Sequence, residues 1–257
     1  MKRALCLMLL TAFMFVAGCG TTPVRKEPEV PAKRPVSEHV KRDATYAIDA
    51  YDPWEGMNRR IYNFNAIFDN AVFLPVVQAY EFVTPVIVQK GITNFFKNLN
   101  EVTNLTNSLL QLKIEKAVIT FGRICINTTV GIGGLIDVAT INDKLERQDE
   151  DFGQTLGFYG LGPGPYLVLP ILGPSNLRDT AGLAADSLVY SMMIGQLIAE
   201  LGMDDTNETI LNYSLTGLYA IDKRHSEPFR YFKTGSPFEY DLIRKLYLIM
   251  REFKIES

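Results

Sequence analysis

Apolar residues are distributed in two ways along this chain. From Ala4 to Val16 they form a nearly continuous run behind Lys2 and Arg3, and from about residue 52 onward they recur at steps of three and four. The second pattern is that of helices with one apolar face, and strand-like alternation is scarce. Trp54, Met57, Ile61, Phe64, Phe68 and Val72 make the first stripe, with Arg59, Arg60, Asn63 and Asn65 off it. Asp52-Pro53-Trp54-Glu55 reads as its start, with the two carboxylates expected to accept from free backbone N–H groups. Leu74-Pro75 is expected to stop it, because the residue before proline is pushed out of the α region.

The same spacing predicts helices at about 86–98 (Val88, Ile92, Phe95, Phe96), 102–112 and 115–129, the last with Val118, Phe121 and Cys125 on one face and Ile124 beside them. From Asp149 to Pro174 glycine and proline are dense enough to predict no regular helix, and Tyr166–Leu169 is the one extended candidate. Helices resume at about 179–200, at 206–222 behind Asp205 and Glu208, and at 237–253 behind Ser236-Pro237-Phe238-Glu239, a second expected capping box. The fold class is mainly α.

Beyond the signal, no stretch gives about eighteen uninterrupted apolar residues, the length that a spanning helix needs. The nearest, Ala181 to Ala199, contains Asp186 and Gln196. Helices with one apolar face either pack into a soluble core or lie in a membrane interface, and periodicity does not separate the two.

The first run is too short to span with tilt and ends at Val16-Ala17-Gly18-Cys19, small residues before a cysteine. That is the grammar of a bacterial lipoprotein signal, so residues 1–18 are expected to be cleaved and Cys19 acylated. Gly20 and Thr21 include no aspartate of the kind that resembles an inner-membrane retention signal, which favours the outer membrane. Residues 19–50 carry Pro23, Pro28, Pro31 and Pro35 among charged residues and read as a flexible tether. As a coil of about 30 residues it spans on the order of 30 Å. Residues 51–257 are then expected to form a single helical domain.

Composition narrows the chemistry. The formal charge of −3 becomes −5 once Lys2 and Arg3 leave, which argues against nucleic acid as a partner. Cys6 leaves with the signal and Cys19 is acylated, so Cys125 is the one thiol left, which excludes a disulfide within the chain. Lying on an apolar helix face, it is expected to be buried. The two histidines, His39 and His225, read as solvated and sit where no catalytic triad is readily proposed. Asp149-Glu150-Asp151 reads as a hydrated acidic run, and no spacing predicts a metal site. Gly160 to Pro165 lacks the lysine of a phosphate loop. No catalytic residue, cofactor or metal is expected.

Several phrases remain that carry no obvious chemistry. Asp52-Pro53-Trp54-Glu55-Gly56-Met57-Asn58-Arg59 is followed by Tyr62-Asn63-Phe64-Asn65. Arg123 and Asn127 through Ala139, Phe152 through Gly160, Gly164-Pro165-Tyr166, Leu169-Pro170 and Leu177-Arg178-Asp179 come next, in that order. Together they resemble the MlaA (VacJ) lipoproteins of Gram-negative outer membranes over about residues 51–190.

The resemblance implies a ring or disc of amphipathic helices within the outer membrane, with an apolar rim and a polar passage. It further implies work with trimeric porins and delivery of mislocalised outer-leaflet phospholipid to a soluble periplasmic carrier. Asn63 and Phe64 match a family phrase and, with Gly131, Gly133, Gly134 and Asp137, are the candidate channel or gating residues. Gly160, Gly162, Gly164, Arg178 and Asp179 are candidates for a rim element or a structural ion pair, the pair being favoured for the last two. A structural or adhesive lipoprotein that binds porins without moving lipid is the alternative. A lipid-cleaving enzyme is disfavoured by the missing nucleophile and base.

Overall fold

The computed structural model describes residues 50–256, so the signal, Cys19, His39 and nearly all of the tether lie outside it. Helices dominate: α1 (Glu55–Phe68), α2 (Leu74–Val83), α3 (Val86–Leu110), α4 (Ile114–Thr129), α5 (Phe152–Phe158), α6 (Leu177–Ala199), α7 (Asp205–Ser226) and α8 (Glu239–Glu256). Two short strands, β1 (Tyr166–Leu169) and β2 (Gly173–Asn176), pair antiparallel with Tyr166 opposite Asn176. The extended candidate at Tyr166–Leu169 is therefore β1.

Three local expectations need correction. Pro75 does not end the first helix, because a π-helical turn, Asp69–Phe73, precedes it and carries the chain directly into α2. The Leu74 N–H donates to the Asp69 carbonyl, so the ladder widens by one residue just before the proline removes a donor. The separate patterns at 86–98 and 102–112 are one 25-residue helix, α3. The glycine-rich segment holds a seven-residue helix, α5, whose first turn is capped by Asp151 accepting from the Gln154 N–H.

The expected capping boxes are made only in part: Ser236 Oγ accepts from the Phe238 N–H at 3.1 Å, but neither Glu55 nor Glu239 bonds back to its cap residue. No side chain caps α1: Asp52 accepts from Asn58 at 2.8 Å and Arg244 at 3.0 Å and bonds the Tyr240 hydroxyl, while Glu55 pairs with Arg59. A guanidinium is a stronger donor for a carboxylate than an exposed helix end. Glu239 is likewise buried and taken by the Tyr62 hydroxyl at 2.8 Å and by the Phe232 N–H at 2.5 Å.

The contacts among elements close on themselves. Helix α1 packs on β1, β1 on β2, β2 on α8, α8 on α5, α5 on α3, α3 on α7, and α7 on α2, which continues α1. Asparagines supply one of these joints. Asn58 donates to the Tyr166 carbonyl at 3.0 Å and accepts from the Val168 N–H at 2.9 Å, and Asn65 does the same with Leu169 and Ile171. Two asparagines seven residues apart on α1 thus supply the β1 edge with hydrogen-bond partners of the kind that a third strand would give.

Burial runs opposite to that of a soluble bundle. Among the described residues, buried polar and charged side chains outnumber buried hydrophobic ones. Two small apolar clusters remain, one around Tyr62, Tyr166, Val168 and Tyr240 and one around Phe96, Leu99, Ile194 and Ile198. Most of the stripe that predicted α1 faces outward: Trp54, Met57, Phe64 and Val72 are exposed and Ile61 and Phe68 half-buried, whereas Asn58, Asn65 and Asp69 are buried.

Two helical stretches are long and apolar enough to cross a membrane by length and composition, Glu55–Val83 and Leu177–Ala199. The expectation of none rested on uninterrupted runs, and Asp186 and Gln196 interrupt the second stretch without making it polar. Only 22% and 17% of their apolar windows are buried, unlike the core helix of a soluble protein, which is mostly buried.

Candidate functional site

Many of the buried polar groups form one connected system between α3, α4, α5, α6 and α8. Its residues share helical faces. On α3, Asn98, Glu101, Asn104, Asn107 and Ser108 are buried, as is Gln111 just past its end, and on α4 the buried row is Thr120, Arg123 and Asn127. Both rows follow the three-and-four spacing of one helix face.

Arg123 is the hub of the first half. Its Nε donates to Glu101 at 2.8 Å, one Nη to the Leu145 carbonyl at 2.7 Å and the other to both oxygens of Asp137 at 3.0 and 3.1 Å. Asn127 adds a bond to Asp137 at 2.9 Å. Burial by itself raises the Asp137 carboxyl, but hydrogen bonds from Thr140, Asn127 and Arg123 outweigh it and hold the group below the usual carboxylate range. Asp137 is therefore an anion fixed to α4.

Asn104 links Glu101 to the second half by bonding both Glu101 and the Gln148 carbonyl and accepting from the Glu150 N–H. Glu150, 2% exposed, takes Lys116 at 2.6 Å, Lys113 at 3.2 Å and Gln111 at 2.8 Å. Burial lowers the Lys113 ammonium, and Glu150 offsets this only in part. Beyond it, Thr155 bonds Asn107, Asn107 bonds Asp186, and Asp186 accepts from the Phe152 N–H.

Asp151 and Asp179 are then bridged by Arg251 of α8, which reaches Asp151 at 2.5 and 2.8 Å and Asp179 at 2.8 and 3.0 Å. Burial pushes Asp151 up, but the Arg251 hydrogen bonds and charge prevail and bring it down to about 2. The expected hydrated acidic run is thus a correction: Asp149 is paired with Lys254, Glu150 with two lysines and Asp151 with an arginine. Among the described residues no group of histidine, cysteine or acidic side chains could hold a metal.

The structure separates the candidate residues into three places. Asn63 and Phe64 are both exposed on α1, and Phe64 stacks on Phe68 with ring centres 5.9 Å apart. Gly131, Gly133, Gly134 and Asp137 follow α4, where Gly133 and Gly134 donate to the carbonyls of Thr128 and Asn127 and so close the helix end. Gly134 has φ +91°, and a Cβ there would lie 2.6 Å from the Cβ of Asn98, so conformation and contact both require glycine.

Gly160, Gly162 and Gly164 lie on the exposed loop before β1. Arg178 fastens that loop, since its N–H donates to the Pro163 carbonyl, its Nη1 to the Leu161 carbonyl at 3.3 Å, and its Nε to Asp179 at 3.0 Å.

Two further expectations fail. Cys125 is exposed, as are Val118 and Phe121 on the same face of α4, because the face carrying Thr120, Arg123 and Asn127 is the one packed inside. His225 is not simply solvated: its Nδ1 lies 2.7 Å from Glu81 and its ring meets that of Tyr80 edge-on.

Glu101, Asn104, Gln111, Arg251 and the other polar partners escaped sequence reading. Their signal was available as a polar row at helical spacing, which is ordinarily the solvated side.

The chain is thus mainly helical, with many ionic and polar side chains buried and many large apolar ones exposed. The chain belongs to the MlaA lipoprotein family, which it matches over residues 50–254.

An intermembrane phospholipid transport system lipoprotein MlaA of Escherichia coli (strain K12) is 40% identical over 159 residues, covering 58% of this chain and 63% of that protein. An uncharacterised protein of Rickettsia prowazekii (strain Madrid E) is 37% identical over 157 residues, 61% of each chain. The chain thus covers less than two thirds of the length of these curated relatives. A chain solved in work on the structural basis for maintenance of bacterial outer membrane lipid asymmetry superposes with a TM-score of 0.61 at 30% identity, covering 80% of this chain and all of that one.

Proposed function

We propose that this protein is the outer-membrane lipoprotein of an intermembrane phospholipid transport system. It withdraws mislocalised phospholipid from the outer leaflet and passes it to a soluble periplasmic carrier. The acylated Cys19 anchors it to the outer membrane, the body lies in that membrane beside a trimeric porin, and lipid asymmetry is maintained without any bond being broken.

The observation that carries this reading is the reversed polarity of α4, with Val118, Phe121 and Cys125 outside and Thr120, Arg123 and Asn127 inside. Drawing a two-chain lipid into water exposes some thirty methylenes, on the order of 25 kcal/mol at about 0.8 kcal/mol each. A protein that moves lipid must shelter the tails and keep the head group hydrated. An apolar outside meets acyl chains, and a polar inside offers the head group hydrogen bonds. Gly131, Gly133, Gly134 and Asp137 form the turn after α4 that lines and gates that polar passage. Asn63 and Phe64 keep the ring closed toward the outer leaflet, and Gly160 to Gly164, held by Arg178 and Asp179, form a rim.

The test is complementation of a strain lacking its own transport lipoprotein. The wild-type chain restores surface impermeability and lowers outer-leaflet phospholipid, and Cys19→Ala fails to do so. Outer-leaflet phospholipid that stays high with wild type present contradicts the reading.

A further inference from the structure

The turn between α2 and α3 is among the most exposed apolar segments of the described chain. Phe82 is 91% exposed and Ile87 80%, and Val83, Val86 and Val88 are exposed beside them. No charged side chain occurs from Phe82 to Gln89. In water a tight turn between helices is ordinarily the polar part of a hairpin.

The backbone of this turn is provided for from within. Gln89, 7% exposed, donates through its side-chain amide to the carbonyls of Glu81 at 3.3 Å and Thr84 at 2.7 Å. The Thr84 N–H donates to the Tyr80 carbonyl, the Val88 and Gln89 N–H groups donate to the Pro85 carbonyl, and Pro85 has no N–H. Carbonyls at a helix end must go to water, to a side chain or to a tightened last turn. Recruiting a side-chain amide to them is the arrangement needed where water is absent, since an unsatisfied backbone group in hydrocarbon is costly.

We propose that the α2–α3 turn, Phe82 to Val88, is inserted in the acyl-chain region of one leaflet and re-enters without crossing. The proposal rests on the reading that the body lies in a membrane. Charge marks its depth. Glu81, paired with His225, brackets the turn on the α2 side and exposed Lys90 on the α3 side. Pro85 precedes Lys90 by five residues, about 7–8 Å of helix at 1.5 Å per residue. The hydrocarbon of one leaflet is roughly half of 30 Å, so the tip reaches about its middle and stops. Lys90, on a long flexible stem, reaches back to the head groups.

The chain has one tryptophan, Trp54, so depth can be read by fluorescence. In a Trp54→Phe background of the acylated full-length protein, Phe82→Trp and Ile87→Trp are compared with Phe121→Trp. The membranes are phosphatidylethanolamine–phosphatidylglycerol vesicles with bromine at mid-chain or a nitroxide at the head group.

Both tip positions are expected to emit in the blue and to be quenched more by mid-chain bromine than by the head-group nitroxide, with little effect of acrylamide. If both are quenched by acrylamide and not by bromine while Phe121→Trp is quenched by bromine, the inserted tip is wrong and the embedded body stands. A protein partner then becomes the occupant of this turn. If Phe121→Trp also reports water, the embedded body fails together with the tip. Two positions on opposite arms guard against one variant that misfolds, and helical circular dichroism checks each.

Discussion

Arg123 of α4 and Glu101 of α3 form an ion pair of 2.8 Å in which the side chains are 2% and 1% exposed. The pair joins two helices whose facing surfaces are polar, and Asp137 holds the other end of the guanidinium. Taking such charges out of water is expensive, so the pair contributes little as a unit, but each member depends strongly on the other. Arg123→Met is expected to destabilise the fold by about 3–5 kcal/mol, because it leaves Glu101 and Asp137 without their shared cation. The double variant Arg123→Met, Glu101→Met is expected to recover a good part of that loss in thermal melts in detergent. Equal destabilisation in both variants contradicts the coupling.

Acid should loosen the joint between α5, α6 and α8 first. Asp151 titrates at about 2 in the folded chain because Arg251 outweighs its burial, against an ordinary carboxylate value of about 3.9. With the folded pKa below the unfolded one, the stabilisation is complete above the unfolded value and is lost as pH falls toward the folded value. Unfolding midpoints measured from pH 5 to pH 2 should therefore fall for wild type. They should fall much less for Asp151→Asn, which starts lower. Parallel curves for the two proteins would rule out this linkage.

How α5 crosses α6 depends on an absent side chain. A Cβ at Gly182 would lie 2.3 Å from the backbone nitrogen of Gly153, so the two helices meet backbone to backbone. Gly182→Val must push them apart and strain the Arg251 bridge beside them, at a cost of about 1–3 kcal/mol. A lowered midpoint in chemical denaturation checks this, with Gly195→Ala as the comparison, since nothing lies within 4 Å of a Cβ there.

Much of the element order was legible, and the sidedness was not. Trp54, Met57, Phe64 and Val72 announce a helix by their spacing, yet that spacing is identical whether the stripe faces a core or a bilayer. Only the tertiary partners of Asn58, Asn65 and Asp69 decide it, and these lie about 100 or more residues away, in β1 and at Arg224. Asp52 misled for the same reason: a capping role is local, whereas Arg244 and Tyr240 are distant and bind the carboxylate instead. Asp149, Glu150 and Asp151 look like one hydrated run because adjacency in sequence hides three different partners. Cys125 lies outside because the apolar face of α4 is its outer one, which spacing alone does not reveal.

That same cysteine gives the most direct test of the central claim, that the apolar exterior faces lipid. On the proposed processing, which removes Cys6 with the signal and acylates Cys19, Cys125 is the only thiol left, so no substitution is needed. Intact outer membranes are treated with a water-soluble maleimide and compared with the same sample dissolved in denaturant. Cys125 is expected to stay unlabelled in the membrane and to label fully once the bilayer is gone. Equal labelling in both samples would place the exposed face of α4 in water and contradict the account.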